Sequence, residues 1–174
     1  ALSFDNQIAE SLRVFQDMLA QARVRGDHTM AISALNKLAY VTAMRAGDFT
    51  EAEGYLAEAD QMARRFQDKY GLSELSLVRC MMCTMAADFE GVVRYLDETK
   101  QIGYELGEKE QIAMALDHIS NSQMMMTQFD KGWQTAQEGL RLAREVGNRE
   151  HEASILASVT PLYHLRNGDL AQAL

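Results

Sequence analysis

The sequence contains a single proline, Pro161, among 174 residues. Proline removes a ladder N–H and crowds the preceding turn, so its near absence permits long uninterrupted helices. Cysteine is almost as scarce. Cys80 and Cys83 are the only two; they exclude a disulfide framework and point to a reducing compartment, the cytoplasm. No apolar run approaches the roughly 18 residues of a membrane span. The opening Ala-Leu-Ser-Phe-Asp has neither the charge nor the apolar core of a signal or transit peptide. Cations are in deficit: 17 Lys and Arg face 25 Asp and Glu, a net charge of −8. Neutralising phosphates requires clustered cations, so neither nucleic acid nor an anionic membrane is expected as a partner. Also missing are a Gly-rich phosphate loop and a nucleophile signature. What remains is 47% hydrophobic and 24% charged, an ordinary balance for a globular chain, rich in the helix formers Ala, Leu, Met, Glu, Gln and Arg.

The chain repeats itself. Gly47-Asp48-Phe49, Ala87-Asp88-Phe89 and Gly168-Asp169-Leu170 share one pattern, and Thr127-Gln128-Phe129 is a weaker copy. Their last members, Phe49, Phe89, Phe129 and Leu170, stand 40, 40 and 41 residues apart. A second series, Ala22-Arg23, Ala63-Arg64, Gly103-Tyr104 and Ala143-Arg144, is spaced by 41, 40 and 40. Each member of that series is followed by a turn signal at Gly26, Gln67, Gly107 or Gly147. Two registers with one period identify a repeat architecture. Apolar residues at i, i+3 and i+4, such as Ile32, Leu35, Leu38, Ala39 and then Ala52, Tyr55, Leu56, Ala59, make both halves of each unit helical. The spacing predicts a first helix over 5–25. A-type helices are predicted over 28–46, 69–86, 109–127 and 149–166. B-type helices are predicted over 50–66, 90–106 and 130–146, with a last one beginning near Asp169. No sheet is expected. The repeats divide the chain into one array: a partial repeat over 1–27, repeats over 28–67, 68–107 and 108–147, and a truncated repeat over 148–174.

Leu38-Ala39, Gly47-Asp48-Phe49, Ala52, Leu56 and Ala59 carry a resemblance to a known family, extended by Ile119-Ser120 with Phe129 and by Ala143-Arg144 with Gly147. This pattern resembles the tetratricopeptide repeat superfamily in its long, 40-residue form. Kinesin light chains, Leu-Gly-Asn-repeat adaptors and bacterial regulators of the maltose-activator type have that form. Armadillo and HEAT arrays share the period, but the Gly-Asp-Phe turn and the two-helix unit disfavour them. The resemblance implies an all-α, right-handed solenoid of stacked antiparallel helix hairpins. It also implies a scaffold that binds a protein or peptide in its concave groove, as the regulatory or sensory part of a larger bacterial signalling or transcription-regulator protein. In the family, A-type helices line the groove. Carried over position by position, this gives Asn36, Tyr40 and Met44 around Leu38, and Ser76, Cys80 and Thr84 around Val78. It gives Asp117, Asn121, Met124 and Met125 around Ile119, and Ala157, Pro161, His164 and Leu165 around Val159. Arg79 departs from the pattern, which prefers Gly or Ala there. The family's cationic clamp for a C-terminal carboxylate has no counterpart among these positions.

Other conspicuous residues have structural readings. Cys80 and Cys83 could share a metal as i, i+3 thiolates, but structural zinc needs four ligands and the four histidines fall in different repeats. Asp117-His118 is the only adjacent acid–His pair, and neighbours on a helix diverge. No catalytic residue, metal or cofactor is therefore expected, and the chain reads as a non-enzyme. Met81, Met82, Met85 and Met124, Met125, Met126 serve either as gap-fillers in a core or as an adaptable apolar surface. Arg23, Arg64 and Arg144 suit the C-terminal ends of helix dipoles, and Trp133 reads as packing between helices. Pro161 is expected to bend or break its helix. Leu170, Ala173 and Leu174 at one end, and Leu12, Phe15 and Leu19 at the other, are expected to leave apolar end faces, as in a piece of a longer array. Self-association through such ends is the second functional reading.

Overall fold

The structure, a computed structural model, describes residues 2–169, with side chains from Asn6 onward. Eight α-helices follow one another, and there is no strand among the described residues. They are α1 (Leu2–Arg25), α2 (His28–Val41), α3 (Phe49–Phe66), α4 (Lys69–Met85), α5 (Phe89–Leu106), α6 (Lys109–Met125), α7 (Phe129–Val146) and α8 (Arg149–Arg166). The B-type helix expected from Asp169 lies outside the described residues. Pro161 sits inside α8, which stays helical from Arg149 to Arg166, so no break occurs there.

Each helix stops and restarts by the same local chemistry. A residue in the left-handed region ends every helical segment: Gly26, Gly47, Gln67, Ala87, Gly107, Thr127, Gly147 and Gly168. An acceptor side chain usually follows at once. Asp27, Asp48, Asp68, Asp88 and Asn148 accept the backbone N–H three residues on, from Met30, Glu51, Gly71, Gly91 and His151. Such a cap contributes about 1 kcal/mol. Glu108 and Gln128 occupy the same register without a side-chain cap bond.

The stretch from helix start to left-handed terminator is one residue longer in α2 and α8 than in α4 and α6. In α2 the extra length is accommodated as a π-helical turn over Thr42–Ala46. A π turn bonds i to i+5 and is the usual way a helix takes up an inserted residue.

The chain forms two compact units that divide between Met82 and Cys83, inside α4. In the first, α2 packs on both α1 and α3. Ile32, Leu35, Leu38, Leu56, Ala59, Leu75 and Val78 form its core, with Phe15, Met18 and Tyr55 packed against it. In the second, α6 packs on α5, α7 and α8, and α7 packs on α8. One cluster there joins Ile112, Ala113, Leu116, Leu142 and Ala143, and another joins Met124, Ala136, Leu140, Ile155 and Val159. The start of α2 lies beside the end of α3, where His28 stacks on Phe66 at 3.5 Å. The start of α6 lies beside the end of α7, where Lys109 pairs with Glu145. Helices approach closely at Gly71 and Gly139. A Cβ on Gly71 would lie 2.6 Å from Ile32 Cγ2, and one on Gly139 would lie 3.2 Å from Leu116 Cβ.

The left-handed terminators make a reciprocal test. Thr127 is β-branched at φ 60°, a conformation that costs an L residue about 1–2 kcal/mol. Thr127→Gly is expected to raise the unfolding free energy by about 1 kcal/mol, and Gly147→Ala (φ 73°) to lower it by a similar amount. Urea denaturation followed by circular dichroism measures both; an unchanged midpoint for either would contradict this account.

Candidate functional site

The even-numbered helices α2, α4, α6 and α8 carry the residues expected to face a partner. Five of these are buried. Asn36, Ser76, Cys80, Asp117 and Met124 are all under a tenth exposed. Asn36 and Asp117 are the ninth residues of α2 and α6, and each reaches across to the next even-numbered helix. Asn36 Nδ2 donates to the Gly71 carbonyl at 3.3 Å and to Glu74 Oε2 at 3.4 Å. Asp117 Oδ2 meets His151 Nδ1 at 2.9 Å, and its Oδ1 accepts from Ser154 Oγ at 3.0 Å and from Asn121 Nδ2 at 3.3 Å. Gly71 and His151 are the third residues of α4 and α8, and Glu74 and Ser154 the sixth. The same polar link thus recurs at the same register in each unit.

These side chains are committed to holding helices together. The Asp117 carboxylate is 1% exposed and bonded to three side chains, so a ligand cannot reach it without opening the α6–α8 contact. The acid–His pair is Asp117 with His151, from different helices, rather than the adjacent His118, whose ring centroid lies 6.2 Å from that of His151. Ser154 donates to Asp117 and not to an imidazole nitrogen, so the three residues do not form a nucleophile–base relay. No group of three or more His, Cys, Asp or Glu side chains that could hold a metal occurs among the described residues.

The other expected residues reach the surface to different degrees. Tyr40 and Met125 are exposed, at 38% and 60%, and Thr84 is exposed as well; Met44, Asn121 and His164 are half-buried. His164 belongs to an aromatic cluster. Trp133 of α7 stacks on Tyr163 of α8 at 4.6 Å and 7°, and the His164 ring stands edge-on to both. Arg79 turns its guanidinium toward α3, to Glu53 at 2.8 Å and Asp60 at 3.7 Å, which accounts for a cation at a position where a small residue was expected.

The chain shares its helical fold with BtubC (BKLC) from P. vanneervenii. The two superpose with a TM-score of 0.76 over 95% of this chain and 69% of that one, at 16% sequence identity. At this identity the likeness shows the fold alone. No protein-family model and no curated protein matches the chain.

Two surface features escaped the sequence reading of the groove. Met81 and Met85 of α4 are 43% and 60% exposed. Counted from the first residue of their even-numbered helix, Met44, Met85, Met125 and Leu165 all fall at the seventeenth position. The signal was present as a 40-residue recurrence of Met, hidden by anchoring the register on the packed Leu. The second feature is a cleft of about 350 Å³ between α1 and the end of α2, which holds Lys37, Tyr40 and Arg45. No helix among the described residues is long and apolar enough to cross a membrane.

The buried link has a measurable worth. Asp117→Ala removes the acceptor of the His151, Ser154 and Asn121 donors, a loss expected to cost about 1–3 kcal/mol, and a double-mutant cycle with His151→Gln should give a coupling above about 0.5 kcal/mol. Additive effects of the two substitutions would refute a direct pairing.

On the surface, Tyr104 Oη donates to Glu138 Oε1 at 2.6 Å. That hydrogen bond, with some burial, pushes the phenol from 10.0 up to about 12. The folded chain therefore keeps this proton longer than the unfolded one. Its contribution to stability is complete below about pH 10 and is lost as the pH rises through about 12. Tyr55 is raised as well, by burial and by its bond to Glu51, so ultraviolet titration should show a late-ionising fraction among the six tyrosines, which Glu138→Gln should reduce by bringing Tyr104 down.

Proposed function

We propose that the chain is a tetratricopeptide-like right-handed array that binds a protein or peptide segment on the surface of its even-numbered helices, within a larger cytoplasmic signalling or regulatory protein. The observation that carries this reading is the recurrence of exposed thioether and aliphatic side chains at one register. Met85, Met125 and Leu165 are 60%, 60% and 53% exposed, and each lies in the last turn of its helix, where a large apolar side chain left at the surface is open to a partner. Met in particular adapts to partners of varied shape. The buried Asn36 and Asp117 support the reading indirectly, because they fix how one even-numbered helix sits on the next and so hold such side chains in place. The family resemblance supplies the rest: the handedness of the array, the groove and the regulatory setting.

A second reading is favoured by α8 alone. Leu162 and Leu165, three residues apart on one face of α8, are 43% and 53% exposed, an apolar pair suited to contact between copies. Sedimentation across a concentration series separates the two readings.

The Met row gives the direct test. Met85→Glu with Met125→Glu is expected to weaken partner capture by about tenfold or more, since each desolvated apolar anchor is worth about 1–2 kcal/mol at an interface. Both side chains are exposed, so the helical circular dichroism should be unchanged. Capture that survives the double substitution would place the interface elsewhere.

A further inference from the structure

The eleven methionines of the chain differ widely in exposure. Met81, Met85 and Met125 are 43%, 60% and 60% exposed, Met124 is 3% exposed, and the other seven are half-buried. The contrast is sharpest between neighbours. Met124 packs with Ala136, Leu140, Ile155 and Val159, and its Cε would lie 3.2 Å from a Cβ on Gly132. Met125, one residue on, is left mostly in solvent. Met85 and Met125 both belong to the second compact unit.

A thioether at the surface fills no gap, which is the usual reason for Met in a core. Leu165 occupies the same register as Met85 and Met125 and is 53% exposed, so an aliphatic side chain serves there for apolar contact. What the thioether adds is an oxidisable sulfur. The thiols of the chain are shielded by comparison, since Cys80 is buried and Cys83 half-buried.

Resting on the scaffold reading above, we propose that Met85 and Met125 form a reversible oxidation site through which a peroxide releases the bound partner. A sulfur lone pair attacks one oxygen of hydrogen peroxide or of an alkyl hydroperoxide. The S–O bond forms as the O–O bond breaks, and sulfur loses two electrons. The transferred hydroxyl gives its proton to the departing hydroxide or alkoxide, which leaves as water or an alcohol. The product, methionine sulfoxide, is polar and chiral, and a partner's apolar side chain covers it only by desolvating an S=O acceptor. Met124 and the apolar clusters lie out of reach of the oxidant, so the fold survives the change. Methionine sulfoxide reductases, one for each sulfoxide epimer, restore the thioether.

Three measurements on peroxide-treated chain test this. Peptide mapping by mass spectrometry should find Met85 and Met125 oxidised about tenfold faster than Met124, because susceptibility follows exposure. Fluorescence anisotropy uses a dye-labelled, end-capped helical peptide with Leu at alternating spacings of three and four residues in a Gln/Lys frame. Its binding should weaken about tenfold on oxidation, with unchanged circular dichroism, and should recover after treatment with the two reductases. Met85→Leu with Met125→Leu, whatever its own affinity, should bind the peptide equally before and after peroxide. Oxidation of Met124 as fast as Met125, helicity lost on oxidation, or peptide binding untouched by oxidation overturns the switch and leaves the scaffold reading in place. A peroxide effect that persists in the double leucine variant overturns it too. An untreated chain that ignores the peptide removes the apolar surface on which the scaffold reading and the switch both rest.

Discussion

The rest of the structure depends on the reversal of the chain at intervals of 20 or 21 residues. A helix leaves its last carbonyls and first amides without intrahelical partners, so each reversal must solve the same problem in two or three residues. The left-handed residues at 26, 47, 67, 87, 107, 127, 147 and 168 turn the chain, and at five of these reversals the following Asp or Asn accepts an amide of the next helix. Because the interval hardly varies, residues one repeat apart in sequence fall at equivalent places on their helices. Buried Asn36 and Asp117 and exposed Met85 and Met125 are all consequences of that equality.

Within each unit the apolar core does most of the stabilising, and the polar links select how the helices sit. An apolar contact such as Ile155 against Gly139 tolerates some sliding. The two hydrogen bonds from Asp117 to His151 and Ser154 of α8 do not, since displacement would strand a buried carboxylate. The cost of desolvating Asp117 is offset only in one arrangement of α6 on α8, and Asn36 plays the corresponding part for α2 on α4. A surface built on helices fixed in this way can present side chains to a partner at a defined spacing.

In the proposed function that surface is apolar: the thioethers of Met85 and Met125 and the side chain of Leu165 share one register on their helices and adapt to what they cover.

The helical class and the bounds of the helices were legible in the sequence, to within three residues when the π turn Thr42–Ala46 is counted with α2. They are set by local chemistry: Gly and Asp at the reversals, and apolar spacing between them. The positions where Gln67, Ala87 and Thr127 replace glycine were legible too, because the period located them. The sequence could not say which polar residues of the even-numbered helices are buried. Asp117 and Thr84 look equally suited to a groove until α8 brings His151 and Ser154 to the first of them. Burial is a property of the partner helix some 35 residues away, and no local pattern contains it. The cleft at Lys37 and Arg45 is of the same kind. The sequence determined the helices and their spacing. Only tertiary contact decided which side chains those helices consume in holding one another and which remain for a partner.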